Sequence, residues 1–482
     1  MNKMIKKFFH KYNMNLPAKA AIWFTFCNVM QKGISMITVP IFTRILSTEE
    51  YGIFSIYLSW MNILVIFTSL NLYYGVFNNA MLKYEDERNK FTSSMQGLTV
   101  VITTIFFAIY LLGKDFFNNI IGLSTIFMVL IFIEMAVTPA LQFWSARQRF
   151  EFKYKALVGI TLAKSLLNPI LGIVAVIVTR QGALARVFSV VMLEVIFCGT
   201  IMIYQFIKGK SFFVKEYWKY AISFNLPLLP HYLSGSILNQ GDRVMINMFS
   251  GKTEVGIYSV AYNIGMLMQL FTNAINASFT PWFYMSLKEK KYEEIKRVTN
   301  LLLLLMSILV ILLMFFSPEV IKIFATKDYY EAVYVIPPIS ASVFFIFMYI
   351  LFSNLEFYFE ENKFIMIGSV SAAILNVALN YLFIPKFGYL AAGYTTLVSY
   401  VLYCVAHYIF SLVVCKKHIN SAKLYNGKFI SMLSLGVIIA TLLFNILYNY
   451  TILRYLLALI FGIILCIKRD YFKRILMLIK SK

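Results

Sequence analysis

At 482 residues, 60% hydrophobic and only 14% charged, the chain carries more apolar surface than one water-soluble core can hide. Its 44 Lys and Arg against 22 Asp and Glu give a formal charge of +22, but no nucleic-acid-binding module accompanies that excess. Composition thus excludes a soluble protein and predicts an all-α integral membrane protein. The apolar runs suit helices, which need about 20 residues to cross hydrocarbon, and they lack the roughly ten-residue alternation of an outer-membrane barrel.

About fourteen transmembrane helices are predicted. Residues 1–19 read as a basic cytoplasmic tail, not a signal peptide, because no small-residue cleavage site follows the first apolar run. Span one, Ala20 to Leu46, carries Asn28, Gln31, Lys32 and Ser35 at i, i+3, i+4, i+7 spacing, so they share one face with Lys32 near mid-span. Pro40 permits a kink there, and Arg44 reads as a snorkelling anchor. Span two is Tyr51 to Phe77, span three Phe91 to Leu112, and span four, Ile120 to Trp144, holds Glu134 with Thr138, Pro139 and Gln142. Span five, Ala156 to Val178, holds Lys164 between Thr161 and Asn168, with Pro169 following. Span six, Ala183 to Ile207, holds Glu194.

Span seven, Tyr217 to Phe249, is the most polar. Pro227 and Pro230 near its start are hinge candidates, and His231, Gly235 and Asn239 step by fours toward Asp242, which adjoins Arg243. Neighbouring residues on a helix point about 100° apart, so Asp242 and Arg243 cannot satisfy each other face to face. Span eight is Val255 to Met285 with Pro281. Spans nine to twelve run Val298 to Phe316, Val333 to Phe357, Phe364 to Ile384 and Leu390 to Val414. Asn376 and Asn380 in span eleven are one turn apart and suit hydrogen bonding between helices better than sugar binding. Phe429 to Leu447 and Ile452 to Ile467 complete the set, ahead of a basic tail.

Most Lys and Arg fall in the segments that are cytoplasmic if the chain starts inside, as in "ARQRFEFKYK" (146–155) and "KEKKYEEIKR" (288–297). Both termini are therefore expected in the cytoplasm, with the basic excess facing anionic membrane lipids and no nucleic acid. The five cysteines are scattered without metal-ligand or disulfide spacing, so no metal and no cofactor are expected. An internal echo organises the chain: "ILSTEEYGIFSIY" (45–57) resembles "MFSGKTEVGIYSVAY" (248–262), six spans apart. An even separation restores orientation and predicts two parallel six-helix lobes, residues 20–210 and 211–415. A two-helix C-terminal extension with its tail, 416–482, follows.

The stretches "GISMITVPIFTRILSTEEYGIFS" (33–55) and "LPLLPHYLSGSILNQGDRVMINMFSGKTEVGIYSVAYNIG" (226–265) resemble hairpins of the bacterial polysaccharide repeat-unit (Wzx-type) flippases. These belong to the multidrug/oligosaccharidyl-lipid/polysaccharide exporter superfamily. The resemblance implies a non-enzymatic flippase of the bacterial cytoplasmic (inner) membrane, acting in O-antigen or capsule synthesis. It would hold two six-helix lobes around a central cavity and move an undecaprenyl-diphosphate-linked oligosaccharide from inner to outer leaflet by alternating access.

On this reading Lys32, Lys164 and Arg243 face one pore and compensate the diphosphate, with Asn28, Gln31, Asn239 and His231 lining it. Asp242, Glu134 and Glu194 are then candidate H+ or Na+ coupling sites, as in an antiporter. The competing reading pairs each cation with a buried carboxylate that fastens helices together. Two other functions are weighed: a multidrug exporter of the same superfamily, whose site for cationic drugs should be acidic, and a membrane polysaccharide polymerase or ligase. The second needs a large extramembrane loop or a metal-binding acidic motif, and neither is evident.

Overall fold

The computed structural model describes residues 16–467. The tails expected before and after the spans lie outside it, except that the first helix already begins at Leu16. The described residues fold as nineteen α-helices joined by short turns, with no strand among them. The first twelve are α1 (Leu16–Ile45), α2 (Thr48–Ser69), α3 (Val76–Lys83), α4 (Arg88–Leu112), α5 (Lys114–Ile121), α6 (Thr125–Phe150), α7 (Tyr154–Thr179), α8 (Gly182–Glu194), α9 (Thr200–Gly209), α10 (Lys215–Asn225), α11 (Leu229–Phe249) and α12 (Lys252–Gly265). The rest are α13 (Gln269–Lys288), α14 (Tyr292–Phe324), α15 (Ile336–Tyr358), α16 (Asn362–Phe387), α17 (Tyr389–His418), α18 (Gly427–Leu447) and α19 (Thr451–Ile467).

Among the described residues ten helical stretches are long and apolar enough to cross a membrane, and α19 is a shorter apolar helix. The helices covering expected spans one, seven and eight fall outside those ten. Span one is interrupted by its polar strip; spans seven and eight are also broken by 3-10 turns at Leu226–Leu228 and Met266–Met268. Pro227 sits inside the first turn and Pro230 opens α11, so the break follows from two residues that withhold amide donors. Span six is likewise not uniform, since a π-helical turn, Val195–Gly199, links α8 to α9 directly after Glu194.

Span two ends earlier than expected. Its helix stops at Ser69, where Leu70 (φ 49°) and Asn71 (φ 48°) take the left-handed conformation, and Phe77 belongs to the separate helix α3. Buried Asn225 makes that turn affordable, donating its side-chain amide to the carbonyls of Leu70 (2.8 Å) and Asn71 (2.9 Å).

The chain divides into two compact units, Met1–Gly256 and Ile257–Lys482. The first therefore takes in α10 and α11, which the repeat pattern assigns to the second lobe. Within it α1 packs on α7, α7 on α8, α4 on α9 and α2 on α11. Small residues let α2 and α11 approach: the Ser59 hydroxyl donates to the Gln240 Oε1 at 3.2 Å, and the Ser236 hydroxyl to the Asn62 carbonyl at 3.3 Å. Phe77, Phe91, Phe143 and Tyr217 form an aromatic cluster where α3, α4, α6 and α10 meet. In the second unit α15 and α17 pack most extensively, with α16 on α17 and α14 on α15 and α18.

The two copies of the echo meet each other. Ser47 caps α2 through a capping box, its hydroxyl accepting from the Glu50 amide while the Glu50 carboxylate accepts from the Ser47 amide at 2.9 Å. One turn on, a Cβ at Gly52 would overlap the Lys252 carbonyl and lie 3.1 Å from the Gly256 nitrogen. Reciprocally, a Cβ at Gly256 would overlap the Thr48 carbonyl and lie 3.1 Å from the Gly52 nitrogen. Thr48 matches Lys252 and Gly52 matches Gly256 in the echo, so the contact is self-complementary. Only glycine permits that backbone approach.

Candidate functional site

The first unit contains a cavity of about 540 Å³ whose wall is mainly polar. One face comes from α1, through Gln31, Lys32, Ser35 and Thr38, the strip whose helical spacing puts them together. Helix α6 adds Gln142, Ser145 and Arg149; α7 adds Thr161, Lys164, Ser165 and Asn168; α8 adds Arg186. Pro169, also on the wall, withholds the amide that would bond the Ser165 carbonyl, which loosens α7 beside the cavity.

Four cationic side chains line this space, and their surroundings differ. Lys164 is ion-paired, its Nζ 2.6 Å from Glu194, and Glu194 also accepts from the Cys198 thiol at 3.0 Å. That leaves Lys32, Arg149 and Arg186 without a carboxylate at ion-pair distance among the described residues. Arg186 is 7% exposed and lies between two rings, 4.4 Å from the Phe42 centroid and 4.7 Å from that of Phe54. Its Nη2 donates to Asn168 Oδ1 at 2.6 Å, while Nε is buried without a hydrogen-bond partner. Ring stacking and one amide fix the guanidinium without neutralising it.

Lys32, Gln31 and Lys164, expected together from sequence, do share this cavity. Asn28, one turn earlier on α1, is exposed and is not among its lining residues. Nor is Arg243, which is buried on α11 and donates to the Asn239 carbonyl at 2.9 Å and to Gln240 Oε1 at 3.4 Å. Asp242 is also buried on α11, His231 is half-buried, and Asn239 is exposed with its amide bonded to the Gly235 carbonyl. This cavity thus holds Lys32 and Lys164 together with Arg149 and Arg186, and Arg243 is not on its wall. Glu134 lies off the wall, buried on α6, and accepts from the Tyr57 hydroxyl at 2.7 Å.

Sequence reasoning missed Arg149 and Arg186 as site residues because each stands near a span end, where a cation reads as a headgroup anchor. Arg186 left one usable signal: it lies inside the apolar run of span six, with no second basic residue beside it. The pairing of Asn376 and Asn380 across helices is found in the second unit. Asn376 donates to the Thr396 hydroxyl at 3.3 Å, Asn380 donates to Asn376 Oδ1 at 3.2 Å, and the Thr395 hydroxyl donates to Asn380.

A sequence model of the polysaccharide biosynthesis protein family matches residues 18–287, more than half of the chain and the whole cavity wall. The chain belongs to this family. As a polysaccharide biosynthesis protein it is a multi-pass membrane protein of the multidrug/oligosaccharidyl-lipid/polysaccharide exporter superfamily, and the MatE model matches residues 227–382. A protein of the Lsg locus of Haemophilus influenzae is 23% identical over 363 residues, 72% of this chain and 86% of that protein. An uncharacterized membrane protein of the same organism is 21% identical over 359 residues, 71% and 84% of the two chains. The lipid II flippase MurJ in an inward closed conformation has a similar fold, with a TM-score of 0.67 at 15% identity over 94% of this chain and all of that one. An inward-facing multidrug resistance MATE transporter gives 0.58 at 14% identity, over 80% and 96%.

Proposed function

We propose that this polysaccharide biosynthesis protein flips an undecaprenyl-diphosphate-linked oligosaccharide from the inner to the outer leaflet of the bacterial cytoplasmic membrane, without chemical change. The observation that carries the reading is the polar cavity of about 540 Å³ in which Lys32, Arg149 and Arg186 have no carboxylate partner among the described residues. A dianionic diphosphate crossing hydrocarbon alone is prohibitively costly, whereas a buried cation without a counter-ion, as Arg186 is among the described residues, is costly until an anion arrives, and the exposed side chains of Lys32 and Arg149 add positive charge to the same wall. Arg186 offers a fork for phosphate oxygens, and Lys32 offers a compact charge. Gln31, Ser35, Gln142 and Asn168 supply hydrogen bonds for the adjoining sugar, while the prenyl tail stays in lipid.

Lys164 is held in reserve by Glu194. Together with Glu134 and its Tyr57 partner, that carboxylate is a candidate for H+ or Na+ coupling, as is Asp242 on α11. Arg243, Asn239, His231 and Asn28 are then assigned to the path beyond the cavity, and the proline break at Pro227 and Pro230 is assigned to hinge motion. The lobes of this mechanism are residues 20–210 and 211–415, with both termini cytoplasmic and basic loops on anionic lipid.

The MatE match keeps drug export as the second reading. A cationic drug is repelled by this basic wall, so the charge of the cavity favours the glycan. The test is complementation of a deletion strain. Wild-type protein should restore surface glycan and clear the accumulated lipid-linked precursor, and Lys32→Ala with Arg149→Ala should reach the membrane yet do neither. Full complementation by the double variant would sink the proposal; drug resistance without a glycan defect would transfer it to the second reading.

A further inference from the structure

The second unit buries a carboxylate and an imidazole that the cavity does not use. Glu356, near the end of α15, and His407, on α17, both have fully buried side chains, with His407 Nδ1 2.8 and 3.0 Å from the two carboxylate oxygens. Tyr349 stacks on the imidazole with its centroid 5.6 Å away, Tyr403 meets it edge-on at 4.7 Å, and Phe410 closes a third side edge-on at 5.8 Å. The other ring nitrogen, Nε2, is buried without a hydrogen-bond partner. It faces Gly368 on α16, where even a Cβ would come within 2.9 Å.

Such a pair is a poor structural fastening. Replacing a buried ion pair with well-packed apolar side chains is often neutral or stabilising, and in lipid the cost of charge is higher still. Its chemistry is more specific. When Nδ1–H donates to the carboxylate and Nε2 is bare, the pair carries one net negative charge. When Nε2 also holds a proton, imidazolium and carboxylate cancel and no net charge is buried. The dry packing therefore favours the loaded form, and release of the proton as H+ to water becomes favourable only where water reaches Nε2.

We propose that His407, oriented by Glu356 behind Nδ1, is a proton-binding site of the second unit, gaining and losing one proton at Nε2 on its Gly368 side. The titratable groups around it are Tyr349, Tyr403 and, in the turn before α18, Tyr425, whose hydroxyl donates to the Leu351 carbonyl at 3.2 Å. Helix α16 meets it with Gly368, and none of α13, α14, α16 or α18 supplies a further ion-pair partner among the described residues. The site is separate from Asp242, Glu134 and Glu194, and it holds whatever the transported substrate is.

The chain has four histidines, so His10→Gln, His231→Gln and His418→Gln leave one imidazole to observe while keeping the pair intact. Nitrogen NMR of that ¹⁵N-histidine-labelled protein in lipid bilayers should show both ring nitrogens protonated at the acid end of a pH series and one at its alkaline end. Adding Glu356→Gln, which keeps a hydrogen-bonding side chain but removes the charge, should leave His407 neutral throughout. A His407 neutral at every pH in the protein that retains Glu356 overturns the proposal, and that result needs no second variant to fold. A titration unchanged by Glu356→Gln overturns it as well.

Discussion

The two units handle buried polarity in opposite ways. In the first, α7 leaves most of itself uncovered, with 17% of its apolar stretch buried, and helps to wall a cavity whose cations outnumber their partners. In the second, 89% of the corresponding stretch of α15 is buried, and the polar groups beside it are matched to each other: Glu356 with His407, Asn376 with Thr396, Asn380 with Thr395. Unmatched polarity in a wet space is poised for a ligand. Matched polarity in a dry one holds helices in register, or stores a single proton.

The contrast is easiest to break at its wet end. Lys32→Ala with Arg149→Ala removes two charged contacts worth roughly 1.5–3 kcal/mol each, so glycan export should fall on the order of a thousandfold with membrane insertion intact. Precursor clearance in a complemented deletion strain reads this out. Next comes the one matched pair beside the cavity. Glu194→Met strands Lys164 and should cost roughly 3 kcal/mol in thermal unfolding, and adding Lys164→Met should recover most of that. A double variant as unstable as the single would mean that Lys164 is held by something other than its charge.

At the dry end, the Asn376–Thr396 match should respond by stability alone. Asn376→Ala should cost about 1 kcal/mol and leave export unchanged, and a transport defect at equal stability would erase the distinction between the units. The smallest effect is expected at Glu361, between α15 and α16. Hydrogen bonds from Lys417 and His418 outweigh its desolvation and, with Lys363 nearby, pull its carboxyl from 4.5 down to about 2. A depressed folded-state value stabilises above the unfolded one. The contribution should therefore be whole above about pH 4.5 and vanish as pH falls toward about 2, so the melting curves of wild type and Glu361→Gln converge across that window.

Hydropathy made the helices legible because lipid leaves the backbone little alternative to intrachain hydrogen bonding. Breaks were legible where a residue announces them, as at Pro227, but not at Met266–Met268 or at the π turn after Glu194, where no proline stands. The left-handed turn at Leu70 and Asn71 was hidden inside an apolar run, because it is made possible by Asn225, distant in sequence. In the cavity, the face of α1 was readable from its spacing. Arg186 was not, since what retains it is a pair of rings on α1 and α2 and an amide on α7. The Lys164–Glu194 pair likewise joins two helices and has no local signature.

The reciprocal meeting of Gly52 and Gly256 has an energetic corollary. Each glycine is the clearance for the other's neighbour, so a methyl at either position pushes apart the same two segments. A double-mutant cycle of Gly52→Ala and Gly256→Ala should be strongly sub-additive: the first replacement forfeits the crossing, and the second finds little left to lose.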